Sequence, residues 1–193
     1  RLHAGAGQPA RAGAEAAGLD GAEAGLGVSG LRAPEPISPA HDLSQFDCGV
    51  PVLDDWLRQR SLRNESRFSR TYVVCEGARV AGFYCISAGA VERARVPGKL
   101  RRNAPDSVAV IGRLAVDREY AGRGLGADLL ADALRRIAGA ASVIGIAAVL
   151  VQAKDEAAKA WYLRQAEFMA FPEDGRVPWL PVEMVVGVLR NKA

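Results

Sequence analysis

Histidine and cysteine are scarce in this 193-residue chain, and that scarcity closes several chemical routes. Both histidines, His3 and His41, precede the main strand and helix signals, so chemistry built on a histidine base is not expected. Cys48, Cys75 and Cys85 are odd in number and form no CxxC, which argues against a disulfide scaffold and against a zinc site. The expectation is three small buried cysteines in a reducing compartment, and no metal. No apolar run approaches the roughly 18 residues of a membrane-spanning helix, so no membrane association is expected. A formal net charge of +3 is too small to name a nucleic-acid partner by itself. What remains is ordinary for a globular protein: 49% hydrophobic and 24% charged residues, long enough to close one self-sufficient core.

The first thirty residues differ from the rest. They are mostly Ala and Gly, with Leu2, Leu19, Leu26 and Val28 as the only large apolar side chains. Such a segment buries too little apolar surface to offset its ordering entropy, so residues 1–30 are expected to be disordered and 31–193 to form the domain. The segment lacks the compact apolar centre of a signal peptide, which makes a cytoplasmic location the expectation. It also lacks an initiator Met, and one reading places the true translation start near Val28.

Strand and helix signals alternate from Leu31 onward. Leu53, Trp56 and Leu57 keep helical spacing after Pro51, with Asp54 and Asp55 in the first turn. Residues 71–75 and 80–87 read as a hairpin around the turn at 76–79. Residues 91–107 read as an irregular basic loop, and 108–116 as a strand. Leu125, Leu129, Leu130, Leu134 and Ile137 put an apolar stripe on one side of a helix. A buried strand is expected over 146–151, a helix over 155–164 and a last strand over 181–189. The fold class is α+β around one sheet.

Charge is unevenly spread. Residues 34–57 hold five acids and no Lys or Arg. Residues 58–102 hold eleven basic residues against three acids, a net +8 that includes Arg63, Arg67, Arg70, Lys99, Arg101 and Arg102. An Arg-rich block suits a phosphate-rich partner, and it equally suits a solvated helix face with a basic loop.

The most informative stretch runs from Ile111 to Leu130. A strand ends in Arg113-Leu114-Ala115-Val116-Asp117, and a turn with Gly122, Arg123, Gly124, Leu125 and Gly126 opens a periodic helix. Unsatisfied amides and the positive dipole end make a helix N-terminus an anion site, and glycines let phosphates approach the backbone. No Gly-Lys-Ser/Thr follows, so a triphosphatase P-loop is excluded. No GxGxxG with a following acidic strand end is present, so a dinucleotide fold is not expected. Replacing Gly124 with a β-branched residue is expected to spare the fold, because the start of a helix tolerates many side chains.

This stretch resembles the acyl-CoA loop of the GNAT family of N-acetyltransferases. The resemblance implies a GNAT fold: a central mixed, mostly antiparallel sheet flanked by helices, with strands splayed at the acyl-CoA site. It implies acetyl-CoA as co-substrate, with Leu114, Ala115 and Val116 along the pantetheine and Gly122, Arg123, Gly124, Leu125 and Gly126 around the pyrophosphate. The family loop usually opens with Gln or Arg where this chain has Ala121, which removes one side-chain contact and leaves the backbone cradle. Asp155-Glu156-Ala157-Ala158-Lys159-Ala160-Trp161-Tyr162 resembles the family's final motif, whose tyrosine protonates the departing CoA thiolate. That role would fall to Tyr162.

The first half is similar to one branch, the acetyltransferase toxins of bacterial toxin–antitoxin pairs. The likeness lies in Phe46-Asp47-Cys48-Gly49, Leu53-Asp54-Asp55-Trp56-Leu57, residues 69–75, 80–84 and 100–103. It implies acetylation of the α-amino group of aminoacyl-tRNA, neutralisation by a ribbon-helix-helix antitoxin, and room for a homodimer. The +8 block then has a polyanion to meet, through Arg63, Arg67, Arg70, Lys99, Arg101 and Arg102. Two other readings stay open at this point. One is a GNAT enzyme acting on a small amine or a protein N-terminus. The other is a non-catalytic acyl-CoA-binding or interaction module.

Overall fold

One sheet with helices on both faces positions everything that follows. The structure, a computed structural model, describes residues 30–65, 67–90, 107–170 and 177–190. Residues 1–29 of the Ala/Gly-rich segment lie outside the described residues, as do residues 91–106 with Lys99, Arg101 and Arg102.

A short strand β1 (Glu35–Pro36) precedes helix α1 (Pro51–Asn64). Pro51 stands in the first turn of α1, where its missing N–H costs no helical bond. β2 (Arg70–Glu76) and β3 (Arg79–Ala90) form the expected hairpin, turning through Gly77 at φ 60°. β4 (Ser107–Val116), α2 (Leu125–Ala141), β5 (Ala148–Val151) and α3 (Glu156–Gln165) follow close to their expected bounds. β6 (Met169–Ala170) and β7 (Pro178–Pro181) complete a seven-stranded sheet of order β1-β2-β3-β4-β5-β7-β6. Among the described strands only β4 and β5 run parallel; every other neighbouring pair is antiparallel.

Strand alternation divides the core in two. Val73, Cys75, Phe83, Cys85 and Ala115 pack toward α1, against Trp56 and Leu57. Val74, Tyr84, Ile111, Val149 and Val151 pack toward α2, against Leu125, Leu129, Ala133 and Ile137. Polar contacts fix α2 on its face. Tyr84 donates its hydroxyl proton to Asp132, which also takes Arg136 Nε at 2.8 Å. Arg136 reaches the Pro34 carbonyl at 2.9 Å and covers the Tyr72 ring at 4.0 Å.

The end of the chain corrects one expectation. Residues 181–189 do not form a strand: β7 stops at Pro181 and helix α4 (Val182–Arg190) begins. The run of valines there favours a strand locally, but Val182, Val185, Val186 and Leu189 also stand at i, i+3, i+4 and i+7. That spacing lets α4 lay an apolar stripe on α2 and bury Val185, and burial outweighs β propensity.

Candidate active site

β4 and β5 stay together only from Val108↔Ala148 to Ile111↔Val151. β4 then continues for five residues to Val116, while the chain leaves β5 for the first turn of α3. The parting begins at a bulge: Cys85 pairs with Arg113 and Ile86 with Ile111, leaving Gly112 extra on β4. Beyond it, the β5-facing edge of β4 has no strand partner among the described residues.

A glycine turn closes one end of this gap. Asp117, 1% exposed, holds the end of β4 in place. Its carboxylate accepts from the amides of Glu119 at 2.9 Å and Asp47 at 3.1 Å and lies 3.5 Å from Arg79. After a short 3-10 turn at Arg118–Tyr120, Gly122 at φ +75° and Gly124 at φ +86° reverse the chain into α2. No side chain caps that helix. The Gly124 carbonyl takes the amides of Ala127 at 2.9 Å and Asp128 at 3.2 Å. The amides of Leu125 and Gly126 precede the first intrahelical bonds and so stand ready for an anion. The left-handed φ at Gly124 adds a strain for any side chain placed there, a cost that the sequence does not display.

The opposite wall is α3. Asp155 caps it, accepting the Ala158 amide at 2.7 Å. The Lys154 ammonium and that amide hold the Asp155 carboxyl below the usual carboxylate range. Tyr162, 7% exposed, packs edge-on to Trp161 at 4.9 Å and to Phe168 at 6.1 Å. Burial pushes its pKa above the ordinary tyrosine value, with Cys85 adding a smaller push, so the phenol keeps its proton through the neutral range.

Eight of the nine predicted donor-side and catalytic residues meet in one cleft of about 510 Å³. Leu114, Ala115, Val116, Gly122, Gly124, Leu125, Gly126 and Tyr162 all line it. Arg123 is not on its wall; the guanidinium is exposed and stands 5.8 Å over the Tyr120 ring. Tyr120, Ala127, Trp161 and Gln165 also line the cleft and escaped sequence reasoning. Trp161 left one trace in the sequence, the small residue at Gly126, where a Cβ would come within 3.3 Å of the indole.

The basic residues divide differently. Arg63, Arg67 and Arg70 are all exposed and lie at the C-terminal end of α1 and the start of β2. Arg63 bonds back to the Gln59 carbonyl, and Arg70 pairs with Glu65 at 3.2 Å. Of the cysteines, Cys75 and Cys85 are buried and Cys48 half-buried. The ligand atoms of Glu35, His41 and Cys75 lie within 4.8 Å of one another. His41 Nδ1 accepts the Ser38 amide at 2.9 Å, so the neutral ring carries its proton on Nε2, which faces Glu35 at 3.2 Å. In that tautomer the imidazole offers no lone pair to a cation beside Glu35.

Residues 37–168 match the Acetyltransferase (GNAT) family. A tRNA-acetylating toxin of Mycobacterium tuberculosis is 47% identical over 150 residues, 76% of this chain and 90% of the relative. The solved structure of AtaT complexed with acetyl-methionyl-tRNAfMet superposes with a TM-score of 0.74 at 27% identity, covering 82% of this chain and 99% of that one. A mutant AtaT toxin bound to the C-terminus of the antitoxin AtaR and acetyl-CoA gives a TM-score of 0.73 at 27% identity, covering 83% and 98%.

Proposed function

The chain belongs to the acetyltransferase (GNAT) family, and from that premise we propose that it is a toxin that acetylates aminoacyl-tRNA. The acetyl group passes from acetyl-CoA to the α-amino group, which blocks translation. The observation that carries this reading is the single cleft joining the free edge of β4, the amides at the start of α2 and the hydroxyl-bearing face of α3. The domain spans residues 31–193 and works in the cytoplasm, where charged tRNA is found. A small antitoxin of the ribbon-helix-helix class holds it in check, in keeping with the AtaT–AtaR complex.

Acetyl-CoA supplies the thioester to be attacked, and the cleft has what its parts require. A Cβ at Gly122 or Gly124 would meet nothing within 4 Å, so the backbone there is open to a diphosphate. The β5-facing edge of β4, without a strand partner among the described residues, offers its peptide groups to the amides of the pantetheine arm and, near Ala115 or Val116, an N–H to the thioester oxygen. The amine nitrogen bonds to the carbonyl carbon, the carbon–sulfur bond breaks, and water takes the ammonium proton. Tyr162 holds a proton at its hydroxyl. As charge develops on sulfur, that neutral donor makes a charge-assisted hydrogen bond and passes its proton to the thiolate. Solvent, which holds the proton released by the amine, returns one to the phenolate.

Two outcomes follow for the intact enzyme. An α-amine has a pKa near ~7.7–8.0, and the adjacent ester lowers it. The kcat/KM against charged tRNA should therefore rise tenfold per pH unit below that pKa and then level off. Tyr162, raised by burial, should add no falling limb below about pH 10. A bell with a limb near pH 8 would assign the titration to some other acid. Neutralising Arg63 and Arg67 together should flatten the log–log salt dependence of tRNA binding by about 0.7–0.9 per lost contact while sparing acetyl-CoA affinity. Filter binding across a salt series measures this, and an unchanged slope would make those two arginines plain solvated surface.

The direct test incubates the protein with labelled acetyl-CoA and total charged tRNA, then identifies the acetylated aminoacyl ends. Label on aminoacyl esters is the expected result. Label on free amines or protein N-termini alone would replace tRNA as the substrate.

A further inference from the structure

The side of β4 that faces away from α2 carries a residue the cleft does not use. Leu114 and Val116 pack toward α2, while Arg113 and Ala115 point the other way, toward α1. The Arg113 guanidinium lies 4.3 Å from the centroid of the Trp56 ring. Trp56 stacks on Phe83 at 5.9 Å and 13°, and Phe46 packs edge-on to Phe83 at 5.4 Å. All three rings are at most 5% exposed, so the cation rests on a packed aromatic base. The guanidinium is itself only half-buried, and no carboxylate of the described residues lies within ion-pair distance of it. A planar cation with five donors, fixed on an aromatic face and still open to solvent, is suited to hold an anion in two-pronged fashion.

Its place along the strand is as telling as its chemistry. Arg113 directly follows the bulge at Gly112, where β4 parts from β5, and directly precedes Leu114 of the cleft wall. Its partner across the ladder, Cys85, packs in the cluster on the α1 side, whereas Tyr162 packs in the cluster on the α2 side. Arg113 and Tyr162 thus flank the gap from opposite faces of the sheet. The glycine turn serves the α2 side, and Arg113 opens toward α1. On α1, Trp56, Arg60 and Arg63 stand at i, i+4 and i+7, along one stripe. Arg60 and Arg63 are exposed, about 6 Å and about 10 Å further along the helix axis than Trp56. The stripe links the basic end of α1 to the parting of the strands.

We infer that Arg113, seated on Trp56, grips the terminal phosphodiester of the charged 3′ end, with Arg60 and Arg63 tracking the phosphates behind it. This rests on the aminoacyl-tRNA reading given above and deepens it. Donor and acceptor then enter from opposite faces of the sheet, each held by its own phosphate site, and the amine meets the thioester where β4 and β5 part.

The test compares three substrates of the parent enzyme: charged tRNA, the aminoacylated CCA trinucleotide, and an aminoacyl-adenosine that lacks the terminal phosphodiester. Losing that phosphate should raise KM about 10- to 150-fold, the range of one charge-assisted contact. Arg113→Gln should show that rise already on the trinucleotide and on charged tRNA, carried by KM rather than kcat, while its KM for aminoacyl-adenosine should match the parent's. Acetyl-CoA affinity, measured by calorimetry, should match the parent. Equal KM values for the trinucleotide and aminoacyl-adenosine in the parent would overturn the inference, whatever the variant does. So would an Arg113→Gln enzyme that still discriminates between them as the parent does, since Arg113 would then only cover Trp56. A parent that acetylates none of the three fails at the earlier step and removes the tRNA reading itself.

Discussion

Tyr162→Phe should lower turnover on charged tRNA by about 10²- to 10⁴-fold, the usual worth of a general acid. The substitution isolates one atom. The Tyr162 ring packs edge-on against Trp161 and Phe168, and a phenylalanine ring keeps both contacts. Burial of the side chain at 7% exposure means that shape, more than solvation, governs its packing, so stability should change little. Acetyl-CoA affinity should also hold, because the proposed diphosphate contacts are amides of α2 and the proposed pantetheine contacts lie on the edge of β4. Only the proton for the departing sulfur is lost. A thiolate is a tolerable leaving group, so residual turnover should stay above background. Single-turnover rates, read beside thermal melting and calorimetric acetyl-CoA binding, make the comparison. A rate within about threefold of the parent, far below a general-acid effect, would mean that the hydroxyl is a spectator.

Much of this was legible in the residues because local and global preferences agree. The 70–76 and 79–90 hairpin, α2 and the strand before the glycine turn have clean periodicity and clear punctuation. α4 was not legible, since a valine-rich segment satisfies both strand propensity and helical spacing, and only the apolar face of α2 decides between them. The cleft wall shows the same division. Glycines and a strand end announce a backbone site, but Tyr120, Trp161 and Gln165 become wall residues only once three elements converge. Arg113 was hidden differently. It sits inside the Arg113-Leu114-Ala115-Val116-Asp117 run that points to the cleft, yet strand alternation turns it to the other face, onto a tryptophan 57 positions earlier.

Gly124→Val should raise the acetyl-CoA dissociation constant by at least about 100-fold, equivalent to one or two charge-assisted hydrogen bonds. Two separate costs are involved, and Gly124→Ala distinguishes them. At φ +86° and ψ −11° any L residue is strained by roughly 1–2 kcal/mol. That strain is present with or without ligand, so it should appear in the melting temperature of both variants. Bulk is the second cost, and the protein itself does not impose it, because a Cβ at Gly124 meets nothing within 4 Å. On the proposed reading, a diphosphate approaches the Leu125 and Gly126 amides through this open space. Ala intrudes on that approach by one methyl group, whereas the branched Val side chain fills it. The Val variant should therefore bind acetyl-CoA much more weakly than the Ala variant, although both melt at similarly lowered temperatures. Gly126→Ala provides the contrast, since its Cβ would press on Trp161 at 3.3 Å and disturb the wall rather than the anion's approach. If folded Gly124→Val binds acetyl-CoA as tightly as Gly124→Ala, the turn only reverses the chain, and the phosphates are held elsewhere.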